Sequence, residues 1–129
     1  MKIEHIALWT HQLEALRAFY CAYFDAVSGE KYTNPRTGFE SYFLSFESGA
    51  RLELMCRADI PPTQTDPHRQ ATGLTHLAFS CGGRDRVDAL TERLRGAGYS
   101  VVGEPRVTGD GYYESIILDP DGNRIEITE

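Results

Sequence analysis

Residues 118–127 read Leu-Asp-Pro-Asp-Gly-Asn-Arg-Ile-Glu-Ile. Pro120 presets the backbone angle at the first central position of a turn, and Gly122 tolerates the conformation at its exit, so the stretch predicts a hairpin. Its strands are expected at residues 112–118 and 124–128. Glu126 stands between two isoleucines, and because strand side chains alternate between faces, it projects to the face opposite them.

A similar arrangement occurs earlier in the chain, where residues 49–54 read Gly-Ala-Arg-Leu-Glu-Leu. Glu53 follows a glycine and an arginine at the same spacing as Glu126 does, and strands are predicted at residues 39–46 and 50–56. The two glutamates therefore belong to two copies of one hairpin pattern.

Each glutamate is preceded, about 50 residues earlier, by a histidine in an apolar strand. His5 lies in Ile-Glu-His-Ile-Ala-Leu and His76 in Leu-Thr-His-Leu-Ala-Phe, which predicts strands at the start of the chain and at residues 74–81. His76 lies 71 residues after His5, and Glu126 lies 73 residues after Glu53. The chain is therefore predicted to contain two similar halves.

A helix is predicted after the first strand of each half, because apolar residues recur there with helical spacing. These residues are Leu13, Leu16, Phe19, Tyr20, Tyr23 and Phe24 in the first half, and Val87, Leu90 and Leu94 in the second. Thr10 is predicted to cap the first helix and Gly98 to end the second. Short strands are expected within residues 28–32 and around residues 99–103.

The predicted fold is α+β, with two tandem β-α-β-β-β modules at residues 1–57 and 73–129. A connector rich in proline, residues 58–72, joins them. A chain of 129 residues has the usual length of one domain, so a single domain over residues 1–129 is expected.

The composition restricts the function. A net charge of −6 and a pI near 5.2 argue against nucleic-acid binding, which usually needs a basic face. No apolar run approaches the roughly 20 residues of a membrane span, and the opening strand leaves no room for a signal peptide. Cys21, Cys56 and Cys81 lack a Cys-x-x-Cys spacing and predict buried thiols in a reducing compartment. We expect a cytoplasmic protein that acts on a small molecule.

The repeated pair predicts a metal site made of His5, Glu53, His76 and Glu126. Burying a carboxylate on the concave face of a sheet costs several kcal/mol of desolvation free energy unless a partner neutralises its charge. A divalent cation is such a partner. Nitrogen and oxygen donors together favour zinc, nickel, cobalt, iron or manganese over calcium. A single strand histidine is more often structural, so it is the repetition that favours a metal. His11 and His68 are predicted to be solvated.

Four segments resemble the vicinal oxygen chelate superfamily, and within it glyoxalase I (lactoylglutathione lyase). They are Glu-His-Ile-Ala-Leu at 4–8, Leu-Glu-Leu-Met at 52–55, Gly-Leu-Thr-His-Leu-Ala-Phe at 73–79 and Asp-Pro-Asp-Gly-Asn-Arg-Ile-Glu-Ile at 119–127. The resemblance covers essentially the whole chain. It implies paired modules that form a curved mixed sheet around a metal cleft with these four ligands, in a homodimer. Such a set is similar to that of bacterial glyoxalase I, whereas dioxygenases of the superfamily use three protein ligands.

The resemblance also implies an activity. Glyoxalase I acts on a hemithioacetal formed from a 2-oxoaldehyde and glutathione, where a glutamate moves a proton between neighbouring carbons and the metal stabilises the enediolate. By resemblance the base is Glu126, with Glu53 as the second candidate. Two alternatives stay open: an acyl-thioester epimerase with similar ligands, and a metal-free protein that sequesters a small molecule, as bleomycin-resistance relatives do.

The chain departs from the glutathione-using relatives at two positions. Those relatives resemble one another in carrying an arginine four residues after the first ligand and an asparagine four residues after the second. Trp9 and Arg57 stand there instead. An indole cannot form the bidentate ion pair that a guanidinium makes with a carboxylate. Trp9 and Arg57 are therefore candidate substrate-binding residues of a different pocket, with core filling as the other interpretation of Trp9.

Overall fold

The computed structural model describes all residues, 1–129. The chain forms two compact units, Met1–Thr63 and Gln64–Glu129. Each unit contains one helix and one mixed sheet. The predicted α+β class with two modules is therefore confirmed. The single domain over residues 1–129 stays a prediction. Neither helix has the length and apolar content that a membrane crossing requires.

The first unit contains one helix and five strands. They are β1 (His5–Trp9), α1 (Leu13–Tyr23), β2 (Val27–Ser28), β3 (Tyr32–Asn34), β4 (Phe39–Ser45) and β5 (Arg51–Cys56). The sheet order is β1-β5-β4-β2, and β3 also pairs with β4. β1 runs parallel to β5, whereas the other pairs are antiparallel. One short strand is predicted within residues 28–32, but only the ends of this range are in strands: β2 ends at Ser28 and β3 begins at Tyr32. Between them the Gly29 N–H still donates to the Phe43 carbonyl of β4 at 2.9 Å.

The core of the first unit lies between α1 and the sheet. The helix packs on β4 and β5, and the buried residues are Leu13, Leu16, Phe19 and Tyr20 on the helix and Leu44, Leu52 and Leu54 on the strands. Burying one such leucine contributes about 2 kcal/mol. Because Leu52 and Leu54 take the core face of β5, the opposite face carries Arg51 and Glu53, as the alternation predicts.

The start of α1 differs from the prediction that Thr10 caps it. The helix begins at Leu13 after an N-cap residue, Gln12, that makes no side-chain capping bond. The Thr10 hydroxyl instead accepts a hydrogen bond from the Gln12 backbone N–H at 2.8 Å. Thr10 is buried, so its hydroxyl closes a local turn before the helix, which is the usual alternative for threonine.

The second unit repeats the order with one strand fewer. Its elements are β6 (Leu77–Ser80), α2 (Arg84–Gly96), β7 (Val101–Val107), β8 (Tyr113–Leu118) and β9 (Arg124–Thr128). The sheet order is β6-β9-β8-β7, with β6 parallel to β9. The buried residues include Val87, Thr91, Leu94, Ile117, Ile125 and Ile127. The Thr91 hydroxyl donates to the Val87 carbonyl at 2.7 Å and lies 2.6 Å from the Ser115 hydroxyl, so both of these buried hydroxyl groups are hydrogen-bonded.

Some boundaries and burial predictions are wrong. β6 begins at Leu77, not at residue 74, because its partner β9 begins only after the hairpin turn and offers Ile125 opposite Leu77. β7 runs to Val107, beyond the predicted residues 99–103. The three cysteines are free and half-buried instead of buried. Cys56 and Cys81 lie at or just past the ends of strands, where packing covers a side chain on fewer sides.

The final hairpin forms as predicted, and Asp119 holds its turn. One carboxylate oxygen of Asp119 accepts hydrogen bonds from the backbone N–H of Asp121 at 2.9 Å and of Asn123 at 2.8 Å. The other oxygen accepts the Asn123 side-chain amide at 2.9 Å. Gly122 has a φ of +82°, which glycine adopts without strain. The turn thereby fixes where β9 starts, and with it the position of Glu126.

Candidate metal centre

The first unit places His5 beside Glu53. His5 is the first residue of β1, and the parallel register sets Ala7 opposite Glu53 on β5. The His5 Nε2 atom lies 3.7 Å from the nearer Glu53 carboxylate oxygen. The imidazole is 40% exposed and the carboxylate 15% exposed. The unit therefore offers a nitrogen and an oxygen donor side by side.

The second unit places His76 beside Glu126 in the same way. His76 directly precedes β6, and Ala78 is opposite Glu126 on β9. In both units the glutamate faces the residue two positions after the histidine. The His76 Nε2 atom lies 3.3 Å from the Glu126 carboxylate, with side-chain exposures of 36% and 16%. The repeat seen in the sequence is thus also a repeat of geometry.

Besides Glu53, the His5 side chain contacts Glu4 and Phe43, and Arg51 contacts both of these residues. Its Nδ1 atom lies 2.5 Å from the Glu4 carboxylate, and the guanidinium of Arg51 donates to the other Glu4 oxygen. The Phe43 ring meets the imidazole edge-on with centroids 5.5 Å apart, and Arg51 lies over that ring at 4.1 Å. The hydrogen bonds with His5 and then with Arg51 hold the pKa of Glu4 below its usual range.

A second carboxylate lies beside Glu126. Glu114 on β8 is buried, and Arg106 on β7 donates to it at 3.1 Å. Burial raises the pKa of Glu126, and repulsion from Glu114 raises it further, while His76 acts in the opposite direction. Glu114 lies two residues along β8 from Ile116, the ladder partner of Glu126. On β4 the residues two positions from Phe43, the ladder partner of Glu53, are Ser41 and Ser45, which carry no carboxylate. The two glutamates are equally covered but differ in their electrostatic surroundings.

Sequence reasoning missed both Glu4 and Glu114. The signal for Glu114 was available in the hairpin register, since Ile116 pairs with Glu126 and Glu114 lies two residues away on the same face. Glu4 precedes β1, so alternation along the strand gives no information about where its side chain points.

The structure brings Trp9 and Arg57 together. Trp9 ends β1, Arg57 directly follows β5, and the guanidinium carbon lies 5.5 Å from the indole centroid. Arg57 also pairs with Asp59 at 2.5 Å. Trp9 is 40% exposed, so the interpretation that it fills the core is wrong. Arg57 and Asp59 line an open depression of about 470 Å³ with Thr37, Gly38 and Ala58.

The two other histidines stand apart from these pairs. His11 is exposed and its Nε2 atom lies 2.8 Å from the Ile60 carbonyl oxygen, so this histidine has a protein partner as well as solvent. His68 is exposed in the segment that precedes β6, as predicted.

The donor pairs fit a divalent transition metal. Donors about 2.0 to 2.2 Å from one cation, at the angles of tetrahedral or octahedral sites, lie roughly 2.8 to 3.6 Å apart. The separation of 3.3 Å falls inside this range, and that of 3.7 Å requires only a small side-chain rotation. No group of three or more His, Cys, Asp or Glu side chains is arranged around a metal position within either unit. Each unit by itself therefore supplies two donors.

The chain belongs to the Glyoxalase/Bleomycin resistance protein/Dioxygenase superfamily, whose family model matches residues 2–127. It is also similar to the protein YqjT of Bacillus subtilis (strain 168), with 30% identity over 128 residues, which cover 97% of this chain and 96% of that protein. The predicted family is confirmed.

Solved structures of glyoxalase I share the fold. Glyoxalase I from Zea mays matches with a TM-score of 0.80 and 21% identity over 98% of this chain and 44% of that chain. The trypanothione-dependent glyoxalase I of Leishmania major matches with a TM-score of 0.78 and 20% identity over 100% and 86% of the two chains. The superfamily thus includes enzymes, and at these identities the likeness shows the fold alone.

Proposed function

We propose that the protein is a metal-dependent, glyoxalase I-like lyase that isomerises a hemithioacetal or a related 2-oxo or 2-hydroxy carbonyl compound. The observation that carries the proposal is the repeated pair: in each unit a histidine Nε2 atom faces a glutamate oxygen, at 3.7 Å and 3.3 Å. Membership of a superfamily with glyoxalase I structures supports it. A protein that only sequestered an apolar ligand would have no need of these four polar groups.

The proposed ligands of the metal are His5, Glu53, His76 and Glu126. Two carboxylates balance the charge of a dication, and the mixture of imidazole nitrogen and carboxylate oxygen donors suits nickel, cobalt or zinc, with iron and manganese as further options. A bound dication would supply Lewis acidity that stabilises negative charge as it develops on substrate oxygens. Two donors come from each unit, so neither unit alone completes the set.

Glu126 is the proposed base. One of its carboxylate oxygens would take the proton from the carbon beside the carbonyl group and return it to the neighbouring carbon, so no electron leaves the substrate. The buried carboxyl group of Glu114, which accepts a hydrogen bond from the exposed Arg106, lies beside it. Glu53 is the second candidate, because its exposure is almost the same.

Trp9 and Arg57 are the proposed substrate-binding residues. The indole offers an apolar face and the guanidinium a cation, so the pair suits a substrate that has an acidic group next to an apolar one. Asp59 holds Arg57 at 2.5 Å, and a substrate carboxylate would replace it as the partner. Glutathione carries carboxylates and is the first thiol to test as co-substrate. The proposal includes a homodimer, as the resemblance implies, and a cytoplasmic location, as the cysteine pattern indicates.

Metal-reloaded protein is expected to convert the hemithioacetal of methylglyoxal and glutathione to a thioester. Chelator-treated protein serves as the control and is expected to have no turnover, because the Lewis acid that stabilises negative charge on the substrate oxygens would be lost with the metal. The assay is repeated with nickel, cobalt, zinc, iron and manganese.

The assay also separates the alternatives. No turnover of the adduct with any of the five metals would remove glyoxalase I chemistry. Sub-stoichiometric metal that cannot be reloaded would instead support a metal-free binding protein. Exchange of the proton next to an acyl-thioester carbonyl, without turnover of the adduct, would support an epimerase.

A further inference from the structure

Glu4 occupies an unusual place next to the first histidine. Neighbouring side chains in a strand point to opposite faces, so Glu4 and His5 would not meet if both were in β1. β1 begins at His5, which frees Glu4 to turn back. Its carboxylate then lies 2.5 Å from His5 Nδ1, the ring nitrogen that does not face Glu53.

Arg51 holds Glu4 in this position by two hydrogen bonds. Its guanidinium donates to the Glu4 carboxylate, and its backbone N–H donates to the Glu4 carbonyl at 3.0 Å. Arg51 is also the ladder partner of His5 and lies over the Phe43 ring. The carboxylate is therefore anchored by the same strand, β5, that carries Glu53.

The hydrogen bond to Glu4 determines which imidazole nitrogen of His5 has a lone pair available to bind a metal ion. A neutral imidazole carries one N–H and one lone pair, and a carboxylate can only accept. An Nδ1–H that donates to Glu4 leaves the lone pair on Nε2. Metal-binding histidines commonly use such a partner to fix the tautomer and the ring orientation.

We propose that Glu4, anchored by Arg51, is a positioning residue that holds His5 as the Nδ1–H tautomer and presents the Nε2 lone pair to the metal. This inference rests on the proposed function for the metal itself. The second unit has no counterpart, since Thr75 stands where Glu4 would be and carries no carboxylate. The two histidines are thus held differently, and the effect of Glu4 is confined to His5.

The test is Glu4→Ala, with Glu104→Ala as the matched control. Glu104 also forms an exposed ion pair with an arginine, Arg95, at 2.6 Å, but it touches neither histidine. Two-bond ¹H–¹⁵N spectra of the metal-free protein, at a pH where imidazoles are neutral, report the tautomer of each ring. A His5→Gln spectrum assigns the signals of His5.

The wild type and Glu104→Ala are expected to show His5 as the Nδ1–H tautomer. In Glu4→Ala the Nε2–H tautomer should appear at His5 while the signals of His76 stay unchanged. The Kd for nickel or zinc, measured by calorimetry, should rise about ten- to a hundredfold in Glu4→Ala and stay unchanged in Glu104→Ala.

An unchanged His5 tautomer together with an unchanged Kd in Glu4→Ala would overturn the role of Glu4. Wild-type protein that binds no divalent metal would contradict the proposed function instead. In that case the spectra of the metal-free protein still decide whether Glu4 sets the tautomer of His5, so the two failures are distinguishable.

Discussion

Glu126→Gln is expected to lower turnover about 10²- to 10⁴-fold while the metal stays bound. Glutamine has nearly the same shape, and its amide oxygen can still serve as a metal donor. It has no basic oxygen to take a proton, and loss of a positioned base costs about this factor. Turnover and metal content are measured on the same reloaded sample, so a catalytic loss is separated from loss of metal.

Two variants control this result. Glu53→Gln makes the same change in the first unit. It is expected to weaken metal binding but to reduce turnover less than Glu126→Gln does. Glu92→Gln, at an exposed residue of α2 that pairs with Arg95, is expected to leave both unchanged. If Glu53→Gln loses turnover while Glu126→Gln retains it with metal bound, the base is Glu53. Retained turnover in both variants would contradict a carboxylate base at this site.

Asp119→Ala is expected to lower the free energy of unfolding by about 2 to 4 kcal/mol. The change removes three hydrogen bonds to a buried carboxylate and leaves backbone N–H groups of the turn without that acceptor. Bonds to charged groups contribute about 1.5 to 3 kcal/mol each, and the loop can recover part of the loss through solvent. Urea unfolding followed by circular dichroism measures the change.

Asp110→Ala is the control for Asp119→Ala. Asp110 also lies in a hairpin turn, but it is exposed and bonds only to a hydroxyl, that of Thr108. Asp110→Ala is expected to lower the free energy of unfolding by well below 1 kcal/mol, as most substitutions of surface residues do. Asp119→Asn keeps an acceptor oxygen and should lie between the two alanine variants. Equal losses in Asp119→Ala and Asp110→Ala would show that the carboxylate does not hold the turn.

The sequence predicts those features that depend on local chemistry. The turn at Asp119 to Gly122 and the orientation of Glu53 away from its neighbouring leucines follow from residue types over a few positions. The repeat adds long-range information, because two similar halves have to place Glu53 and Glu126 in similar registers. The structure confirms that each lies opposite the residue two positions after its histidine.

Other features depend on details that residue patterns do not contain. Whether Glu4 can reach His5 is decided by the residue at which β1 begins, and helix and strand ends are the least predictable parts of a pattern. Thr10 has a side chain that suits a cap, yet a local turn with Gln12 competes for its hydroxyl. The contact of Glu114 with Glu126, by contrast, follows from the register of the predicted hairpin.

The proposal that both pairs serve one metal is tested most directly by counting metal. Elemental analysis and calorimetry on reloaded wild type, His5→Ala and His76→Ala give the number of ions per chain and their affinity. We predict one divalent ion per chain in the wild type, and a large loss of affinity in both variants, because each removes one of four shared ligands. Two ions per chain in the wild type, or a loss of metal affinity in only one of the two variants, would contradict a shared site.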